Sequence, residues 1–600
     1  MDRLKKIFAT ITYKPINFAL FSNIIAAIVG LLFSHPFFEE NDDLGMSLIA
    51  EGAYGYRNWH TLYTNVILSK FTCFLQGIVP SVRWHVVLQI IFVFAAFVCI
   101  TFVLAHYRNG KALSVILQLS LFYEMYVSIQ FTKTSAFIAC VGVLMLIHYL
   151  GYVYGDLLSP ETQFSSVSVK VLAAAGIVLM LYANMLRNHG YIVGMAFALL
   201  PGGVIWLFTM KNGGRKKLLS YLLVLAVSAG IIAVFSAVNR SAYDSDPGWA
   251  KYHDFEVARA KALDQRPDSF DYTRNAEGLA ELGVSAEDAF MYVTWQIGDE
   301  AIVTSELLND IAYAAGPKHI DVDFLKAFAA SVYDDVLKFI PAFMAFILLI
   351  FVLLSASDLL SGSGLYALAE ALVMLVGLLG VHYIGRWTHR LVFALIIVAD
   401  VSLAFGIAVF NADMHCRPAI FKKAAKNSED CAGEADNACA KAGIASALYV
   451  AIGFLAVTVF AQRMGNEFDY QEYLRSGQDF KVLQMYMEEE KDKLFILDTF
   501  TVQNQYRYDV FNAVSEGALD NVVSSGSWMT GTPIEHEILN RFGYSDSFDA
   551  LRSGGDSNVC LIDNIFVDKK ISYINAHNNG PRYASEYVED ICGYKLYRIQ

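Results

Sequence analysis

Residues 16–43 read INFALFSNIIAAIVGLLFSHPFFEENDD. A charge-free run from Ile16 to Ser34 passes through Pro36 and two phenylalanines into Glu39-Glu40-Asn41-Asp42-Asp43. Spanning a hydrocarbon core of about 30 Å takes roughly 20 apolar residues, and this run has that length. Arg3, Lys5 and Lys6 precede it, as in a signal peptide. No small-residue cleavage site follows, so the run is read as a retained first helix.

The same signature recurs along the chain. Of 600 residues, 56% are hydrophobic and 17% charged, against about 25% charged in soluble domains. The deficit lies in long apolar stretches, which give expected spans at 16–34, 84–105, 112–129, 134–154, 168–186, 190–209, 218–237, 335–356, 364–384, 388–410 and 443–461. The expected fold class is therefore a polytopic α-helical membrane protein of about 11 spans. Lysine and arginine set its orientation. Arg3, Lys5 and Lys6, Arg108 with Lys111, Lys211 with Arg215 to Lys217, and Arg417 with Lys422, Lys423 and Lys426 all fall on one side when the spans alternate. That side is read as cytoplasmic. The acidic loop after the first helix, the loop 238–334 and everything after 462 fall outside. The expected location is a bacterial plasma membrane, with the N-terminus cytoplasmic and the C-terminal domain exoplasmic. A net charge of −13 fits acidic exoplasmic segments and gives no basis for nucleic-acid binding.

Two units follow: a multi-pass region, 1–462, with exoplasmic loops 35–83 and 238–334, and a small exoplasmic α/β domain, 463–600. In the first loop, Leu62 to Ile78 is apolar but interrupted by Thr64, Asn65, Lys70 and Gln76, which predicts a helix lying in the interface. In the second, Ser285-Ala-Glu-Asp288 is a capping-box pattern. The C-terminal domain shows strand-like runs at Leu494–Leu497, Asn558–Ile562 and Tyr594–Ile599, and amphipathic helices at Tyr473–Glu489 and Pro533–Phe542. Cys560 and Cys592 share that domain, where a disulfide is permitted. Cys431 and Cys439 fall in a loop placed inside and are expected to be reduced.

Three sets of residues carry possible chemistry. Asp42 and Asp43, with Glu40 beside them, are either a solvated acidic loop or a carboxylate that deprotonates an acceptor hydroxyl at the membrane surface. Only one of two consecutive side chains faces a cavity in regular structure, and Asp43 is the expected base. Lys133, Arg187, Arg386 and Arg390, with His389 nearby, sit at outer hairpin tips against the positive-inside tendency. They are either headgroup anchors or a phosphate clamp, for which the guanidinium fork is suited. Glu124 and Asp400 are carboxylates at membrane depth, costly unless they face a cavity or a partner. Glu124 is placed below Lys133, lining the same cavity.

This layout resembles the GT-C superfamily of membrane glycosyltransferases. Glu40-Asn-Asp-Asp43 with Ile49-Ala-Glu-Gly-Ala-Tyr-Gly55, the Trp249…Tyr252…Arg259…Asp264 stretch and Gly385-Arg-Trp-Thr-His-Arg390 look like bacterial relatives of glucosyltransferase-II-like proteins. The resemblance implies an inverting transferase that takes a sugar from a polyprenyl-phosphate donor to a cell-envelope glycan or lipid acceptor on the exoplasmic side. Asp43 or Asp42 is then the base, and Arg187, Arg386, Arg390 and Lys133 hold the lipid phosphate, with Glu124, Glu40 and His389 around the substrate. No cofactor and no metal site are called, although a divalent metal stays open. There is no Trp-Trp-Asp motif for transfer to asparagine, and no Gly-rich phosphate loop for a soluble nucleotide donor. The alternatives are a transporter or flippase of lipid-linked saccharide, and an O-antigen polymerase or ligase-like enzyme.

Overall fold

The computed structural model describes residues 13–155 except 30, 32 and 33, residues 163–209, 214–337 except 315 and 317, 362–409, 467–502 and 510–600, with isolated positions between. The expected spans 335–356 and 443–461 lie largely outside these residues. So do Cys431, Cys439, Arg3, Lys5, Lys6, Lys211 and the basic cluster 417–426.

The helices of the first half are α1 (Pro15–Ile28), α2 (Asn41–Glu51), α3 (Val66–Ile78), α4 (Trp84–Leu104), α5 (Gly110–Phe122), α6 (Phe131–Tyr154), α7 (Ser166–Leu186), α8 (Asn188–Thr209) and α9 (Gly214–Asp244). The loop that follows contains α10 (Pro247–Arg259), α11 (Tyr272–Glu281), α12 (Ala286–Val293), α13 (Ser305–Ala314) and α14 (Val322–Ser331). The apolar helices α15 (Gly362–Tyr383) and α16 (His389–Val409) complete the bundle. Six helices among the described residues are long and apolar enough to cross a membrane: α4, α6, α7, α9, α15 and α16. The predicted span 112–129 is not one continuous α-helix. It breaks at Phe122 into a π turn, Tyr123–Val127, and ends in a two-residue strand, Ser128–Ile129.

One hydrophobic core unites the bundle, with α16 buried along its length. Packing against lipid gives no hydrophobic gain, so membrane helices associate through small residues and interhelical hydrogen bonds. Both devices are present. A Cβ on Gly142 of α6 would lie 2.8 Å from the Gly176 carbonyl oxygen of α7, and one on Gly176 would lie 2.6 Å from that of Gly142. Asn23 of α1 donates to Thr101 of α4 at 3.2 Å and accepts from Gln118 of α5 at 3.1 Å.

α3 is an amphipathic helix with its polarity reversed. Ile67, Phe71, Phe74 and Ile78 form an exposed stripe, while Ser69, Thr72 and Gln76 are buried. Asn65 caps it by accepting from the Ile67 amide at 3.1 Å. An apolar stripe outward and hydroxyls inward suits a lipid interface, the environment expected from the sequence.

The C-terminal part contains α17 (Glu467–Glu489), α18 (Pro533–Arg541), α19 (Ser547–Leu551) and α20 (Val567–Ala576). The strands, in chain order, are β1 (Phe37–Phe38), β2 (Ser128–Ile129), β3 (Leu494–Leu497), β4 (Val522–Ser524), β5 (Val559–Ile562), β6 (Ser585–Ile591) and β7 (Tyr594–Ile599). β1 and β2 pair in parallel, and the rest form one sheet in the order β4-β3-β5-β7-β6. β3 runs parallel to both β4 and β5, and β7 is antiparallel to β5 and β6. The runs Leu494–Leu497 and Val559–Ile562 do not alternate because both sheet faces are covered. On one face Leu494, Ile496 and Leu561 pack with residues of the 238–334 loop such as Ala262, Met291 and Leu308. On the other, Phe495, Leu497 and Val522 pack with Leu44 and Leu48 of α2, Val86 of α4 and Leu483 of α17. A buried ion pair pins the same junction: Arg83 donates to Glu51 at 2.6 Å, and Glu51 also accepts from the Val514 amide at 3.0 Å.

The Ser285–Asp288 capping box forms as predicted. Cys560, buried, and Cys592, exposed, are free thiols, so the permitted disulfide is not made.

Candidate functional site

A cavity of about 680 Å³ lies where the bundle, the 238–334 loop and the sheet meet. The N-terminus of α2 supplies one wall. Asp42 and Asp43 occupy its first turn, where carboxylates favour the helix dipole. Successive residues point about 100° apart at 3.6 residues per turn, so the two side chains part company. Asp42 lines the cavity with Glu40 and Asn41. Asp43 is wholly buried away from it, accepting from Gln89 at 2.9 Å and from the Phe131 amide at 3.2 Å, with His85 Nε2 also at 3.2 Å. Of the two aspartates, the one on the cavity is therefore Asp42, not the expected Asp43, because helical phase turns Asp43 into the bundle.

The arginines arrive from helix breaks. Arg187 ends α7 in an extended conformation (φ −159°, ψ 111°) immediately before α8. Arg386 and Arg390 bracket the turn between α15 and α16, where Gly385 takes φ 78°. All three line the cavity, as does Arg259 at the end of α10. Their partners differ. Arg390 forms ion pairs with both Asp42 and Glu40. Arg386 donates to Asp264 at 3.0 Å, and Arg259 grips Glu256 with a two-point fork at 2.7 and 2.6 Å. Arg240 reaches Asp244 at 3.4 Å. The Arg187 side chain forms no ion pair among the described residues, and its Nε is buried without a hydrogen-bond partner. It lies instead over the rings of Tyr63 and Phe131, 4.8 and 5.2 Å from their centres. Burial lowers its pKa to about 10, which leaves it charged at neutral pH. Burial also pushes the Glu40 carboxyl up to about 7 against the pull of Arg390. Near neutrality Arg390 therefore serves Asp42 more than Glu40.

Lys133, Glu124 and His389, expected around the same substrate, form a separate cluster. Lys133 is fully buried, with its ammonium against the carboxylates of both Glu124 and Glu39 and 3.3 Å from Ser128 Oγ. His389 Nδ1 lies 2.9 Å from Glu39 Oε1. Burial would raise the Glu39 carboxyl, but Lys133 and His389 together hold it down to about 2. None of Lys133, Glu124 and His389 lines the cavity. The placement of Lys133 in a phosphate clamp and of Glu124 on the cavity wall is thus corrected: each neutralises the other across the π turn. Ligand atoms of Glu39, Glu124 and His389 come within 4.8 Å of one another. The Lys133 ammonium already occupies the carboxylates a metal ion would need, so this donor set does not fit a metal with Lys133 in place.

The sequence reading singled out Arg259 and Asp264 of the 238–334 loop but gave them no place in the site, and it passed over Glu256. Glu256, Arg259 and Asp264 face the cavity because α10 ends in a π turn, Ala260–Gln265, that swings Asp264 toward Arg386. The i,i+3 pairing of Glu256 with Arg259 was the available signal. Also missed were Thr499, Phe500, Ser527 and Trp528, which reach the cavity from just beyond β3 and β4. Asp498 and Asp563, at the ends of β3 and β5, are instead bound to the buried Lys570 at 2.7 and 2.6 Å.

No family model, curated protein or solved structure matches the chain. The reading of the site rests on its geometry.

Proposed function

We propose that the chain is a membrane glycosyltransferase that moves a sugar from a polyprenyl-phosphate donor to a cell-envelope glycan or lipid acceptor, with Asp42 as general base. The observation that carries this reading is the cavity in which a carboxylate, Asp42, and a cation without a carboxylate partner among the described residues, Arg187, face the same space. Asp42 takes the proton of an acceptor hydroxyl, whose oxygen attacks the anomeric carbon as the bond to the lipid phosphate breaks. The negative charge that develops on the departing phosphate meets Arg187, with Arg386 beside it. Fixed cations in a poorly solvated site stabilise such charge without reorganising. Arg390 keeps Asp42 oriented. The reaction side is the exoplasmic one, following the lysine and arginine distribution.

Arg187 is the position to test. Arg187→Lys keeps the charge and loses the fork, so binding of a farnesyl-phosphate sugar weakens, and Arg187→Ala weakens it further. Donor binding equal to wild type in both variants rejects the assignment. Transport of lipid-linked saccharide is the second reading, favoured by Asp400 of α16, whose carboxylate oxygens are both buried without a hydrogen-bond partner among the described residues. Under the first reading Asp400→Asn leaves transfer intact. Under the second it stops movement of the lipid across vesicles.

A further inference from the structure

A second cavity of about 130 Å³ adjoins the first, and Asn41, Thr499, Ser527 and Trp528 line both. It sits at the carboxyl ends of the parallel strands β3 and β4, the edge at which open α/β sheets bind ligands. Leu44 and Leu48 of α2 face Leu497, Val522 and Ile538 across it. The partition between the two cavities is the Trp528 indole, seated on Gly45 in the middle of α2. A Cβ at position 45 would lie 2.2 Å from Cζ2 of the ring. Glycine weakens a helix interior, and here it admits the indole.

An apolar void destabilises a fold in proportion to its volume when nothing fills it. A void of about 150 Å³ accommodates a benzene-sized group, so this one takes a few heavy atoms and is too small for a lipid tail. Its mouth is polar. Thr499 and Ser524 hydroxyls stand 3.1 Å apart, and the half-buried Asn41 stands on both cavities. An apolar pocket with a few convergent polar groups selects a ligand that is apolar at one end and hydrogen-bonding at the other.

We propose that the pocket behind Trp528 receives a short acylamido substituent of the sugar substrate, the methyl end among Leu44, Leu48 and Leu497 and the amide at Asn41. The inference rests on the glycosyltransferase reading for the sugar ring in the main cavity. It adds what that reading leaves open, the kind of sugar.

The test uses the full-length protein in nanodiscs and measures binding, so it does not depend on turnover. Methyl N-acetylglucosaminide and methyl glucoside are compared by saturation-transfer NMR, and the same two sugars are compared as farnesyl-phosphate esters. The acylated form binds roughly tenfold tighter, from one buried methyl and one amide hydrogen bond, and its acetyl methyl receives the strongest saturation. Preference in the lipid-linked pair assigns the pocket to the donor sugar; preference confined to the free glycosides assigns it to the acceptor. Leu48→Phe fills the pocket and removes the preference while glucoside binding persists. Leu48→Ala enlarges it and shifts the preference toward N-butanoyl sugars, a gain that misfolding does not mimic. Equal binding of acylated and plain sugars in both pairs overturns the inference, as does a preference unchanged by both substitutions. If transfer proceeds without acyl preference, only this inference fails. If acyl preference persists where no donor is ever turned over, the glycosyltransferase reading fails and the pocket stands.

Discussion

Replacing Asp42 by asparagine keeps the shape of the α2 N-terminus and removes the proposed base. Transfer in membranes with matched protein levels is expected to fall by a factor of about 10² to 10⁴. Asp43→Asn acts differently: it disturbs a carboxylate that accepts from Gln89 and the Phe131 amide. It is expected to cost about 1–3 kcal/mol of stability, read as a lower melting temperature in detergent, with little change in rate per folded molecule. Glu40 supplies the pH dependence. Its carboxyl is raised to about 7, so it is largely protonated below that pH and anionic above it. Ionisation adds negative charge where an anionic donor binds, so donor affinity should decline as pH rises through 7 and stay level in Glu40→Gln. A wild-type binding curve flat from pH 6 to 8 counts against this. The sequence located these residues, since an acidic pair just past a first span and arginines at hairpin tips are visible by position alone. It chose Asp43 as the inward aspartate where the structure turns Asp42 to the cavity, because adjacency carries no rotational phase until the start of α2 is fixed by Glu40. It also misplaced Lys133, whose partner Glu39 comes from a distant part of the chain through the β1–β2 pairing.

The elements most legible in the sequence were those with uniform environments. α4, α6, α7, α15 and α16 fall close to their expected spans because an apolar run long enough to cross a membrane has few alternatives. The four-residue apolar runs of β3 and β5 were read as strands, whereas β4, three residues long, was missed because so short a run gives no pattern to detect. α3 was recognised through its interruptions, and its reversed polarity makes a direct prediction. Spin labels at Phe71, Phe74 and Ile78 should be more accessible to oxygen than to a water-soluble nickel chelate, whereas a label at Gln76 should be shielded from both. Labels on the stripe that favour the nickel chelate would mean that α3 faces water.

At the scale of the molecule, the helices α4, α6, α7, α9, α15 and α16 make this a helical membrane protein, and orientation is the open quantity. A reporter fused after Gln600 is expected to be active only on the exoplasmic side; cytoplasmic activity would reverse the proposed sidedness. The sheet of the C-terminal part is not self-sufficient. Leu494 and Ile496 are covered by the 238–334 loop, and Phe495 and Leu497 by α2 and its neighbours. A 467–600 fragment should therefore fail to give a cooperative melt, and adding the 238–334 segment should restore only one covered face. That shared covering also sets an order on biosynthesis. The ribosome delivers α2 and the 238–334 loop well before β3 exists, so their sheet-binding surfaces emerge bare and wait for the last strands. Until β3 and β4 have been synthesised, the cavity lacks the wall that Thr499, Phe500, Ser527 and Trp528 supply. A product truncated before β3 then exposes the apolar surfaces of α2 and the 238–334 loop that the sheet would cover, which marks it for removal.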